Sequence, residues 1–168
     1  MELLIFIYIF CKSRDEPLYK YFKDKSKGLI EVHEDLLKLT PINELKTCKQ
    51  TLIIFDDLVT DLKKHPIISE YFIRSRKKNA SIMFLSQSYY NTPKIIRQNV
   101  NYCVILKLGG TRDINSILRE CSIGISKEQL LFMYNESTKK KFDTMIINLD
   151  KSGNERYRMN FLNYFQIE

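Results

Sequence analysis

The apolar positions of this chain fall into short continuous runs set apart by polar and charged segments. Leu3 to Cys11 is one run and Leu52 to Phe55 a second; Ala80 to Gln87 and Asn101 to Leu108 hold two more. The Leu52 to Phe55 run predicts a strand buried on both faces, and the other runs predict further strands. Between the second and third lies His65 to Arg76, with Ile67, Ile68, Tyr71 and Phe72 spaced along one face of a helix. Strand, helix, strand is the unit of a parallel sheet, so the pattern predicts an α/β fold, mainly parallel, with helices on both faces.

The remaining signals are shorter. Leu29 to His33 predicts a strand, Ile42 to Lys49 a turn of helix, Pro93 to Asn99 a short helix and Thr111 to Glu120 a longer one. Ser126-Lys-Glu-Gln129 has the form of a capping box opening a helix through Tyr134. Phe142 to Leu149 predicts a strand, Lys151 to Asn154 a turn, and the alternation in Arg156 to Phe161 a hairpin partner or edge strand. No repeat, linker or low-complexity stretch divides the chain, so residues 1–168 are expected to form a single domain.

Charge and composition narrow the class. A formal net charge of +7 is compatible with a polyanionic partner. The N-terminal run is about nine residues long, against the roughly 20 needed to cross a bilayer. Glu2 precedes it and no small-residue cleavage site follows, so it reads as a buried strand rather than a membrane span or leader. Cys11, Cys48, Cys103 and Cys121 are widely spaced, and His33 and His65 lack ligand-like neighbours. A zinc site or disulfide framework is not expected, and the thiols read as reduced and buried.

The chemistry is concentrated where the second run ends, at Asp56 and Asp57. Carboxylates at the C-terminal end of a parallel strand lie where open α/β sheets bind ligands. One can hold Mg²⁺ through its water shell while the next orients or deprotonates a water. Acids also close strands for turn chemistry, so the pair alone is a weak signal. Gln87, ending the next strand, would share its rim and can sense a γ-phosphate or position the attacking water. A Mg²⁺-dependent nuclease could use the same two acids, but it usually needs more converging carboxylates or a catalytic Lys.

The order apolar-run-Asp56-Asp57, a helix ending in Arg74-Ser-Arg-Lys77, then Asn79-Ala-Ser-Ile-Met-Phe-Leu-Ser-Gln87 and Asn101-Tyr-Cys-Val-Ile-Leu-Lys107 resembles the virion DNA-packaging ATPases of large DNA viruses and virophages. These include poxvirus-type members of the FtsK/HerA superfamily of P-loop motors. The likeness runs from about Leu3 to Leu149. It implies a P-loop NTPase core, ATP and Mg²⁺ as substrate and cofactor, double-stranded DNA as cargo, and a homo-oligomeric ring, usually a hexamer. It implies a location in the virion or the cytoplasmic viral factory. Asp56 matches the metal-associated Walker B acid, Asp57 the acid that activates water, and Gln87 the sensor. Arg74 or Arg76 matches an arginine finger reaching a neighbouring subunit's nucleotide. Lys139-Lys-Lys141 reads as a solvated loop that could also touch DNA phosphates.

The sequence departs from the family at the phosphate loop. Its five glycines, Gly28, Gly109, Gly110, Gly124 and Gly153, form no Gly-x-x-x-x-Gly-Lys-Ser/Thr. Gly109-Gly110-Thr111 lacks the Lys and reads as a strand-to-helix turn capped by Thr111. The chain is therefore expected to be a partial ATPase lacking the first strand and phosphate loop, inactive alone. A ring-completing or regulatory fragment binding full-length subunits is the alternative. The strand ending at Gln87 would then lack a neighbour, and aggregation or altered pairing is expected.

Overall fold

The computed structural model describes residues 5–45, 50–58 and 65–167. Leu3 and Leu4 of the first run, Cys48, and the latter part of the expected turn of helix at 46–49 lie outside them. The chain forms two compact units. One runs up to Gln87 and takes in Asn91–Asn99; the other joins Ser88–Tyr90 to the chain from Val100 onward.

The first unit is built on a four-stranded sheet in the order β2-β1-β3-β4. Its strands are β1 (Ile5–Phe10), β2 (Ile30–His33), β3 (Gln50–Asp56) and β4 (Ala80–Leu85). Every pairing is parallel, with Ile9 opposite Ile54 and Phe10 opposite Phe55. Helix α1 (Pro17–Lys25) connects β1 to β2, and α2 (His65–Arg74) precedes β4. A short helix, α3 (Lys94–Arg97), completes the unit.

The two-residue period of β3 divides its side chains between the helices. Thr51, Ile53 and Phe55 are buried on one face. There Phe55 meets the Tyr71 ring of α2 edge-on at 6.1 Å and the Phe10 ring at 5.8 Å. Ile54 lies on the other face, in a cluster with Ile7, Ile9, Cys11, Ile30, Val32 and, from α1, Tyr19 and Phe22. Helices thus cover both faces, as the apolar runs required.

Helix α1 was not foreseen. Its polar lead-in reads as loop, and only Leu18, Tyr19, Tyr21 and Phe22 are apolar or aromatic within it. The usable signal was Pro17 at the first helical turn, with Lys23 and Lys25 in the last, where the dipole favours cations. Strand β4 pairs with β3 alone among the described residues, and Ser81, Met83 and Leu85 are exposed along it.

The second unit carries a four-stranded sheet in the order β5-β6-β7-β8. It comprises β5 (Tyr102–Ile105), β6 (Met145–Asn148), β7 (Tyr157–Met159) and β8 (Asn163–Tyr164), all antiparallel. Helices α4 (Thr111–Cys121) and α5 (Lys127–Ser137) supply Ile117, Cys121, Leu130, Met133 and Tyr134 to its core, against Cys103, Ile105, Met145 and Ile147. The buried Tyr157 hydroxyl donates to the Cys121 carbonyl at 2.8 Å and accepts from the Ile123 N–H at 3.1 Å.

The foreseen capping box opens α5. The Gln129 N–H donates to Ser126 Oγ at 3.1 Å, and the Ser126 N–H to Gln129 Oε1 at 2.9 Å. At α4 the expectation is corrected: extended Gly110 takes the N-cap position and Thr111 opens the helix. Among the described residues no helix is long and apolar enough to cross a membrane. Cys11, Cys103 and Cys121 are buried thiols outside any disulfide.

Candidate active site

Strand parity puts Asp56 on the α1 face. It follows Leu52 and Ile54 at two-residue intervals, so its carboxylate emerges beside Tyr19. The Tyr19 hydroxyl donates a short hydrogen bond to Asp56 Oδ2. Burial first, then this bond and the negative charge of Asp56, push the Tyr19 hydroxyl well above the usual tyrosine range. Tyr19 therefore keeps its proton and remains a donor.

At Asp57 the chain leaves the strand with φ of +51°, a left-handed conformation that Asp tolerates better than most residues. Its N–H donates to the Leu85 carbonyl at 3.2 Å, which continues the β3–β4 ladder by one step. Lys12, just past the end of β1, reaches Asp57 Oδ2 with Nζ at 3.3 Å. The loop that carries Lys12 is tied to β2: the Cys11 N–H donates to the His33 carbonyl at 3.0 Å, and the Arg14 N–H to Glu34 Oε1 at 2.9 Å. The Lys12 and Asp57 side chains are 47% and 42% exposed, so solvent screens the pair and its net strength is small.

Gln87 lies two residues beyond β4, at the same edge of the parallel sheet as Asp56 and Asp57. Its side chain is exposed and hydrogen-bonds to neither acid. Arg74 and Arg76 are placed elsewhere. Arg74 ends α2 and pairs with Glu70 at 2.9 Å, while Arg76 sits in the 3-10 turn Ser75–Lys77. That turn leads to Asn79, whose carbonyl accepts the Thr51 N–H at 3.2 Å near the start of β3. Both arginines are therefore at the opposite edge, roughly 20 Å along β3 from Asp57 at about 3.3 Å per residue.

The two residues that sequence reasoning missed are Lys12 and Tyr19. The helical turn that aims Tyr19 back at β3 was not visible without α1.

The donor chemistry fits Mg²⁺ in one respect. Mg²⁺ favours carboxylate oxygen and is commonly held by one or two carboxylates plus substrate phosphates, with waters filling the rest of the shell. Asp56 offers such an oxygen beside the one that Tyr19 occupies. Among the described residues no three His, Cys, Asp or Glu side chains cluster as a metal cage.

Tyr19→Phe removes the donor from a partly buried carboxylate. It is expected to lower stability by about 1–3 kcal/mol, read from the urea midpoint. An unchanged midpoint would mean the bond contributes nothing in solution.

The sequence pattern that defines the family described as Poxvirus A32 protein matches residues 24–159. The chain belongs to this poxvirus A32 family. The resemblance to viral DNA-packaging ATPases is thereby borne out at the level of the family. No curated protein sequence matches the chain. Among solved structures, the fold is similar to that of B204, the DNA-packaging ATPase of Sulfolobus turreted icosahedral virus. The TM-score is 0.64 at 15% identity, over 97% of this chain and 84% of that one. The genome packaging NTPase B204 of Sulfolobus turreted icosahedral virus 2, in complex with ATP-gammaS, gives 0.61 at 16% identity over 98% and 84%. Its complex with AMP gives 0.62 at 14% over the same shares. At these identities the likeness is one of fold: A32-family membership comes with an α/β architecture in which a parallel sheet is flanked by helices.

Proposed function

We propose that this A32-family chain is a subunit of an ATP-driven motor that moves double-stranded viral DNA into the capsid. The supporting observation is the Asp56–Asp57 pair at the C-terminal edge of a parallel sheet, in a fold similar to nucleotide-bound packaging NTPases. ATP is the substrate, and full-length subunits of the ring supply the phosphate loop that this sequence lacks. Mg²⁺, when bound, would neutralise phosphate charge, and Asp56 is the residue that would hold it.

The chain's own groups divide the remaining work. Asp57 orients the attacking water and takes its proton. Tyr19 holds Asp56 on the α1 face in one orientation. Lys12 offsets the charge of Asp57 and can leave it readily, because the pair is solvent-exposed. Gln87 reaches the γ-phosphate from the neighbouring strand end. Arg74 or Arg76, at the far edge, suits a role toward an adjacent subunit of a ring, where a cation would stabilise charge on the transferring phosphoryl group.

The test is ATP hydrolysis and duplex translocation by the assembled ring, the latter followed by displacement of a third strand from a triplex. Hydrolysis that rises with duplex DNA, together with strand displacement that requires ATP, is the expected result. Hydrolysis indifferent to DNA, with no displacement, would overturn the reading.

A further inference from the structure

The second unit has a cavity of about 530 Å³ lined by Tyr90, Thr111, Arg112, Asn115, Ser116, Leu118, Arg119 and Lys127. Two of its three cations, Arg112 and Lys127, stand where folding alone disfavours them. Gly110 caps α4, so Arg112 is the second residue of that helix; Ser126 caps α5, so Lys127 is the first of its own. The positive end of a helix dipole repels a cation and attracts an anion. Neither Arg112 nor Lys127 forms an ion pair with any described residue.

The acids nearby are otherwise engaged. Asp113 accepts from Ser88 Oγ and from the Tyr90 N–H, both at 2.8 Å. Glu120 takes Arg119 at 3.3 Å and the Tyr89 hydroxyl at 3.2 Å. Glu128, next to Lys127, is fully exposed, and its carboxyl is held below the usual range by its own backbone N–H, by the Ser126 hydroxyl and, as the smallest cause, by the charge of Lys127, with which it forms no ion pair. Two helix N-termini and two unpaired cations thus line one concavity.

We infer that this cavity binds the phosphodiester backbone of duplex DNA. The inference rests on the packaging reading and deepens it by naming the surface that grips the cargo. Arg112, Asn115, Ser116 and Arg119 recur along one face of α4 over seven positions, roughly 10 Å of helix. One DNA strand carries a charge about every 3.4 Å of axis, so the row matches several successive phosphates rather than one. The Arg112 guanidinium lies 4.8 Å from the centre of the Tyr90 ring. Tyr90 is the only aromatic side chain among the described lining residues, so they offer no second ring to sandwich a base. The surface suits backbone contact without sequence readout, as a translocating motor requires.

The experiment measures binding of a short labelled duplex of mixed sequence to the full chain by fluorescence anisotropy. It compares wild type, the double variant Arg112→Gln/Lys127→Gln, and the charge-keeping Arg112→Lys/Lys127→Arg. The double variant should bind more weakly, with its salt slope shallower by about one unit per residue removed. Between about 50 and 200 mM salt, wild type should lose roughly tenfold more affinity than the double variant. The charge-keeping variant should restore binding. The Tm of the double variant should stay level or rise, because two cations have left positive helix ends.

Equal affinity and slope in wild type and double variant would overturn the inference. So would ATP displacing the duplex far better than inorganic tripolyphosphate does, because the cavity would then be a nucleotide site. Neither outcome bears on hydrolysis at Asp57, which is read separately in the assembled ring.

Discussion

In a ring whose full-length subunits supply the phosphate loop, Asp57→Asn is expected to leave nucleotide binding intact and lower ATP turnover by roughly 10²–10⁴-fold, the range for loss of a general base. Asn is the informative replacement for a conformational reason. Asp57 has φ of +51°, and Asn tolerates that region as well as Asp does. Ala at the same place would add about 1–2 kcal/mol of backbone strain and confuse lost chemistry with lost structure. The amide keeps the shape and the capacity to accept a hydrogen bond, but it cannot take up a proton. Single-turnover kinetics in the assembled ring, with binding of a nonhydrolysable ATP analogue measured in parallel, separates the two effects. Turnover within a factor of two of wild type would remove Asp57 from the reaction.

Phe55→Ala is expected to cost about 3–5 kcal/mol of stability, the range for deleting a fully buried aromatic ring. Phe55 has 0% of its surface exposed and contacts the rings of Phe10 and Tyr71. It is adjacent in sequence to Asp56 but on the other face of β3. Its loss opens a void between the sheet and α2 without touching the Asp56–Tyr19 bond. Urea unfolding should show a large fall in midpoint. Phe55→Leu, which fills more of the void, should recover a substantial part of the loss. A midpoint unchanged in Phe55→Ala would mean that this core is not packed as described.

The apolar runs made the parallel sheet legible, because a buried strand and its crossover helix each leave a period in the sequence. The Asp-Asp ending was legible for a related reason: polarity changes abruptly where a strand leaves the core. Helix α1 left too faint a trace. It buries Tyr19 and little else, and its charged flanks match those of a loop. Without α1, neither Tyr19 nor the loop bearing Lys12 could be assigned to the acids.

The antiparallel arrangement of the second unit was not legible either, beyond the suggested hairpin at Arg156 to Phe161. A strand such as β6, with Met145, Ile146, Ile147 and Asn148 all buried, carries the same continuous apolar run whichever way its neighbours point. Arg74 and Arg76 were legible as the end of a helix. Their distance from Asp57 follows from the parallel pairing of β3 and β4, which delivers the helix end to the start of β4.

The alternation along β3 makes the site sensitive to length more than to composition. Exchanging Ile54 for Val would alter the packing and leave every side chain pointing the same way. Deleting one residue between Leu52 and Phe55 would rotate the carboxylate of Asp56 to the α2 side, away from Tyr19, and thread an apolar side chain into its former place. Natural variation in this strand should therefore consist of substitutions, with insertions and deletions confined to the connections on either side.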